Sequence, residues 1–182
     1  MKHNLLFLFI TIACFSYSSY AQMNSYGMRI GANYSTLSAD NIPEEFEESR
    51  IGVAVGFFAE IPLNENLSLQ PELQYSAQGN KQENFRINYL QAPIIFKYEL
   101  NRLLNIQLGP QVGVKIWEWE DRSNYKTFDF AAVAGIGVNI TKNVFVDLRY
   151  AHGLSNVIEE ENFASIKDGN NRNIQLSIGY KI

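Results

Sequence analysis

The sequence predicts an all-β protein, specifically an eight-stranded antiparallel transmembrane β-barrel with up-and-down meander topology. Three observations carry that prediction: a hydrophobic period of two, strands long enough to cross a bilayer, and connections that alternate between long and short. From Ile51 to Ile61 the odd positions are all apolar, whereas Gly52, Ala54, Gly56, Phe58 and Glu60 form a mostly small or polar second face. Leu67 to Ala77 repeats the split, with Leu67, Leu69, Pro71, Leu73, Tyr75 and Ala77 set against Ser68, Gln70, Glu72, Gln74 and Ser76. The same alternation runs through Tyr89 to Leu100, Leu104 to Ile116, Phe128 to Ile140, Val144 to Gly153 and Ile174 to Ile182, and more weakly through Tyr26 to Leu37.

Alternation by itself also fits a soluble barrel such as a lipocalin, since both have one apolar and one polar face. Strand length and connection length separate the two. A tilted strand needs ~9–11 residues to cross a bilayer, and the predicted strands meet that requirement. Ser38 to Ser49, Gly79 to Arg86, Trp117 to Tyr125 and Leu154 to Asn171 are long connections, whereas Pro62 to Asn66, Asn101 to Leu103 and Thr141 to Asn143 are short. Long loops on one side and tight turns on the other are the arrangement of outer-membrane barrels, with the long loops outside the cell. An even strand number lets the first and last strands pair antiparallel and close the sheet, so that no backbone edge is left in lipid.

Aromatic residues on the apolar face fit the same picture. With the chain entering from the periplasm, Tyr34, Tyr75, Phe128 and Tyr150 fall near the outer strand ends and Tyr26, Tyr98 and Tyr180 near the inner ends. Two aromatic girdles at the water interfaces are expected, because amphipathic rings are most stable there.

Residues 1–21 read as a secretory signal peptide cleaved after Ala21, leaving 22–182 as the barrel domain. Lys2 and His3 precede an apolar run from Leu5 to Phe15, which is too short to span a bilayer, a task for about 20 residues. A rival reading takes Thr11-Ile12-Ala13-Cys14 as a lipoprotein cleavage site, at the cost of an apolar run cut to six residues. Cleavage after Ala21 removes Cys14, the only cysteine, so the mature chain forms no disulfide and must stabilise itself otherwise.

Charge narrows the function classes. The net charge of −4 carries no basic face for nucleic acid, and 13% aromatic residues exclude a chain built to stay solvated. No metal-ligand motif or phosphate-binding glycine loop occurs, so no cofactor and no metal is expected. The four long connections together carry −9 and the rest of the mature chain +4. Acidic loops of this kind read first as solvated faces, with divalent-cation bridging to anionic lipopolysaccharide, or attraction of a basic partner, as the functional alternative.

On the inward face, Arg29, Lys97, Lys115, Arg149 and Lys181 meet Glu60, Glu72, Glu99, Asp129 and Asp147. An eight-stranded barrel has an interior just wide enough for its own side chains, so these charges should pair with one another and with Asn33, Gln74, Gln107, Gln111 and Asn139. Counting from the turns places Lys115 near Asp129 at the outer end and Arg29 near Glu60 towards the inner end. A plugged lumen follows, with a narrow ion path along the charged column as the alternative. His152, with Ser155 and Glu159 to Glu161 nearby, raises a lipid-hydrolase reading. An odd separation along a strand puts His152 and Ser155 on opposite faces, however, and the geometry required of a nucleophile and its base fails.

The segment Tyr89-Leu90-Gln91-Ala92-Pro93-Ile94-Ile95-Phe96-Lys97-Tyr98 resembles the PorT-like outer-membrane β-barrel proteins of Bacteroidetes. The resemblance continues through Gly109 to Gly113, Leu148-Arg149-Tyr150, Gly153 to Asn156 and Ile174 to Ile182, and covers the mature chain. It implies an eight-stranded barrel in the outer membrane of a Gram-negative bacterium. One member type of that family is tied to secretion and gliding, a role that none of these motifs carries here. Ile182 departs from the aromatic last residue common in such barrels, which would shift recognition by the insertion machinery onto Tyr180. The expected function is a non-enzymatic structural or interaction barrel, monomeric, in contact with outer-membrane lipids, lipopolysaccharide and an envelope protein partner. A narrow channel and a secretion-associated barrel are the alternatives.

Overall fold

The computed structural model describes residues 24–40, 49–79, 86–118, 128–154 and 167–182. Eight strands run in chain order: β1 (Ser25–Asp40), β2 (Arg50–Pro62), β3 (Leu67–Gly79), β4 (Arg86–Glu99), β5 (Leu104–Glu118), β6 (Phe128–Asn139), β7 (Val144–Gly153) and β8 (Lys167–Lys181). Each strand pairs antiparallel with its sequence neighbours, and β1 pairs with β8, so the meander closes into a barrel. Closure matters physically because an unpaired N–H or C=O in hydrocarbon costs several kcal/mol, roughly, and a closed ladder leaves no such edge. No helix occurs among the described residues.

The two faces separate as the alternation requires. Along β2, Ile51, Val53, Val55 and Phe57 are exposed while Gly52, Ala54, Gly56 and Phe58 are buried. In β8, Ile174, Leu176, Ile178 and Tyr180 point outward and Asn173, Gln175, Ser177 and Gly179 inward. The buried set is therefore polar and the exposed set apolar, the reverse of a water-soluble domain.

One chemical device shapes all three short turns. A side-chain oxygen at the start of each turn accepts from the backbone N–H groups two and three residues later. Asn64 Oδ1 takes Asn66 N at 2.9 Å and Leu67 N at 2.8 Å; Asn101 Oδ1 takes Leu103 N at 2.8 Å and Leu104 N at 2.9 Å. Thr141 Oγ1 does the same for Asn143 N at 3.2 Å and Val144 N at 2.9 Å. Such turns reverse the chain at a water interface without help from neighbours.

The largest departure from the sequence reading concerns β8, which begins at Lys167 rather than Ile174. β1 continues to Asp40 and supplies the partner, Asp40 standing opposite Lys167 across a bulge between Ser38 and Asp40. The added stretch, Lys167 to Asn173, has no apolar alternation. It is held in the sheet by its backbone pairing with β1.

The outward face fixes a stability prediction. Leu108 is 65% exposed and lies four residues above the inner end of β5. Leu108→Arg should lower folding stability in bilayers by about 2–4 kcal/mol, while Leu108→Phe leaves it nearly unchanged. Urea titration followed by the gel-mobility shift of the folded barrel measures both, and equal tolerance would reverse the face assignment.

Candidate functional site

The lumen is the chemically distinctive part of the described molecule, and its centre is Glu72 on β3. Its carboxylate accepts from two arginines at once. Arg29 on β1 donates Nη1–H to Oε1 at 3.0 Å and to Oε2 at 2.8 Å. Arg149 on β7 donates Nη1–H to Oε2 at 2.8 Å and Nη2–H to Oε1 at 2.7 Å. β3 and β7 lie four strands apart in an eight-stranded ring, so the Arg149–Glu72 fork spans the full width of the interior. Asp147 completes the group by accepting Arg29 Nη2–H at 2.6 Å, with Arg149 Nη2 at 3.7 Å from its other oxygen. Two arginines and two carboxylates make the centre electrically neutral.

Neutral side chains take up part of the remaining hydrogen-bonding capacity, while Arg29 Nε and Asp147 Oδ2 are buried without a hydrogen bond. Gln70 donates to Glu72 at 2.7 Å, Arg29 donates to Ser177 at 2.8 Å, and Arg149 Nε–H donates to Gln107 at 2.7 Å. Gln107 in turn donates to Asn105 at 2.9 Å. The side chains of Glu72 and Asp147 have no solvent exposure at all. Charges so deeply buried are tolerated only when paired and hydrogen-bonded, and bidentate arginine–carboxylate forks are the strongest way to do it.

A second cluster lies towards the short-turn end. Glu60 accepts from Lys97 at 2.8 Å and from Lys181 at 2.9 Å. Both ammonium groups lie over the Phe145 ring, at 5.7 and 5.9 Å from its centroid, and Phe58 meets that ring edge-on at 5.4 Å. The two phenyl rings need room, and glycine provides it. Gly27 stands opposite Phe58 and Gly179 opposite Phe145, and a Cβ at either glycine would collide with the facing ring. Above the central quartet, Gln74 is joined to Gln91 at 3.0 Å and to Gln175 at 3.3 Å, and Asn33 to Ser76 at 2.7 Å.

The expected pair of Arg29 with Glu60 does not form. The ladder puts Arg29 opposite Gly56 and Glu60 opposite Ser25, four residues apart along β2, so each finds other partners across the lumen. Counting from turns fixes a position along one strand. It does not give the reach of long side chains across the barrel, which decided these contacts. Asp129 stands opposite Gly113, one inward position from Lys115, so these two are diagonal neighbours on the lumen face.

On the outer surface, Tyr26, Tyr34, Tyr75, Tyr98, Phe128, Tyr150 and Tyr180 are all between 39% and 58% exposed. Tyr26, Tyr98 and Tyr180 lie at the short-turn ends of their strands, and Phe128 is the first residue of β6 at the other end. His152 also faces outward, with Nδ1 at 3.2 Å from the Tyr150 hydroxyl. Ser155, Glu159, Glu160 and Glu161 lie outside the described residues, as does the expected signal segment 1–21.

Comparison with known proteins gives the family. The model of the outer membrane protein beta-barrel domain matches residues 20–159. The chain belongs to that family. The fold agrees: Neisserial surface protein A aligns over 88% of this chain and 100% of its own, with a TM-score of 0.64 and 14% identity. Ail, the attachment invasion locus protein of Yersinia pestis, aligns over the same shares with a TM-score of 0.57 and 16% identity. No curated protein matches the chain. As a member of the outer membrane protein beta-barrel domain family, the chain resides in the outer membrane of a Gram-negative bacterium.

The quartet makes a quantitative prediction. Glu72→Ala leaves two buried guanidinium groups facing one carboxylate and should destabilise the barrel by about 3–5 kcal/mol. Adding Arg149→Ala should recover part of the loss, with a coupling of about 0.5–3 kcal/mol in a double-mutant cycle. Strictly additive effects would mean that the fork across the lumen does not exist.

Proposed function

We propose that this protein is a structural or interaction barrel of the outer membrane, with a lumen sealed to solutes and with its contacts to other envelope components made at the outer end. The observation that carries the reading is the Arg29–Glu72–Arg149–Asp147 quartet. It joins β1, β3 and β7 through the middle of the interior and leaves no column of free charges for an ion to follow. Below it, Glu60, Lys97 and Lys181 with the Phe58–Phe145 pair form a second barrier. A channel would need mobile, solvated side chains at these levels, whereas these groups are buried and mutually bonded.

Export by the signal peptide at 1–21 belongs to this reading, as does assignment to the PorT-like branch on the strength of the Tyr89 to Tyr98 segment. The acidic long connections are the parts offered to lipopolysaccharide, to divalent cations bridging it, or to an envelope protein partner. The protein acts as a monomer and takes no nucleic acid.

Two measurements test the reading. The full chain reconstituted in a planar bilayer should show no conductance above the bare membrane, and discrete current steps would put the channel reading in its place. A cysteine at Asn162, between β7 and β8, should react with an impermeant maleimide in intact cells. Reaction only after permeabilising the outer membrane would reverse the topology.

A further inference from the structure

The outward surface carries one anomaly. At every outward position whose side chain is described, from Tyr26 on β1 to Tyr180 on β8, the residue is apolar, aromatic or uncharged, with two exceptions. Arg172 on β8 is exposed with the same orientation as Ile174 and Leu176, and His152 on β7 stands directly opposite it in the ladder. Among the described residues no carboxylate pairs with Arg172. An exposed guanidinium at the rim of the lipid face is suited to an anionic group of the membrane.

Height and shape say which kind. His152 is eight residues above Val144, the first residue of β7. At about 3.3 Å per residue and a tilt of about 40°, the basic pair lies about 20 Å above the inner end of the strand, near the top of an apolar band about 25 Å tall. That is the level of the outer-leaflet headgroups, at the end of the barrel where the long connections emerge.

Directly beneath, the side chains of β6 shrink to Ala132 and Ala134, which stand opposite His152 and Tyr150. The result is a shallow groove of about 500 Å³, lined by Ala134, Ile136, Leu148, Tyr150 and Ile174. A second groove of about 350 Å³ follows lower down, lined by Ile30, Val146, Leu176 and Ile178. The two succeed one another along the β7–β8 ladder, through Tyr150 with Ile174, Leu148 with Leu176 and Val146 with Ile178. In the tautomer in which the Tyr150 hydroxyl donates to His152 Nδ1, 3.2 Å away, the ring proton sits on Nε2, where it can meet an acceptor.

We propose that this strip binds one phosphorylated glycolipid of the outer leaflet, of the lipid A type. Arg172 and His152 hold a phosphate, and an acyl chain lies in the groove beneath. Guanidinium is suited to phosphate by its planar fork of donors, and the low dielectric of the interface strengthens the contact. The proposal rests on the outer-end assignment made above. A reversed topology shows in the maleimide experiment, whereas lipid affinity reads the site alone.

The test is native mass spectrometry of the folded full chain in detergent micelles, titrated separately with four probes. These are bis-phosphorylated hexa-acyl lipid A, the same lipid with its phosphates removed, phosphatidylglycerol, and inorganic phosphate. A single lipid A adduct is expected, with Arg172→Gln weakening it about tenfold, as loss of one charge-assisted contact implies, and Arg172→Lys retaining most of it. Ala134→Phe, which fills the groove, should weaken it too while the gel shift reports an intact barrel. Equal affinity for lipid A in Arg172→Gln and the unmodified chain would overturn the proposal. So would equal binding of the dephosphorylated lipid or of phosphatidylglycerol, or displacement of lipid A by inorganic phosphate alone.

Discussion

Everything inside this barrel depends on Glu72 being able to satisfy two arginines that approach it from different walls. Eight strands enclose a space that side chains from opposite sides can just bridge, so a carboxylate on β3 reaches a guanidinium on β7 without any intervening element. An isolated ion at that depth would be prohibitive, and even a simple pair barely recovers its desolvation. One fork from Arg149, one Arg29 nitrogen shared between both Glu72 oxygens, a second carboxylate from Asp147 and neutral contacts from Gln70, Gln107 and Ser177 turn the same charges into a cross-brace. The brace ties strands that share no backbone ladder, which is something the sheet cannot do for itself.

The rest of the interior is arranged around that brace. Below it, Phe58 and Phe145 fill the barrel where Gly27 and Gly179 make room, and Glu60 pairs with both Lys97 and Lys181 beside them. Above it, the amides of Gln74, Gln91 and Gln175 and the small side chains of Ala131 and Ala151 carry no net charge. Outside, the lipid face is apolar until Arg172 and His152, and beyond them come the acidic connections. The molecule thus keeps opposite charges together in its lumen.

Much of this was legible in the sequence because a period of two leaves little freedom: once Ile51 to Ile61 is a strand, its faces follow. The turns were equally readable as the short connections Pro62 to Asn66, Asn101 to Leu103 and Thr141 to Asn143, although the side-chain oxygens that shape them were not. Partners across the lumen were not. Arg29 and Glu60 are near one another in count from the turns, but ion pairing across a barrel depends on stagger and on side-chain length, neither of which leaves a periodic trace. Phe58 was visible as an inward residue, yet its fit against Gly27 requires the register of β1 on β2. The polar start of β8 was hidden for a different reason, since Lys167 to Asn173 has no apolar alternation to betray a strand. Arg172 fell between the connection read as ending at Asn171 and the strand read from Ile174, so its place on the lipid face emerged only with the ladder.

The central claim, that both arginines are locked onto Glu72 across the lumen, is tested most directly by NMR of their side chains in the folded barrel in nanodiscs. Arg29 and Arg149 should give separate Nη–H signals that exchange slowly with water, with through-hydrogen-bond or dipolar contacts to the Glu72 carboxylate. Rapidly exchanging, averaged guanidinium signals, like those of a solvated arginine, would contradict the account.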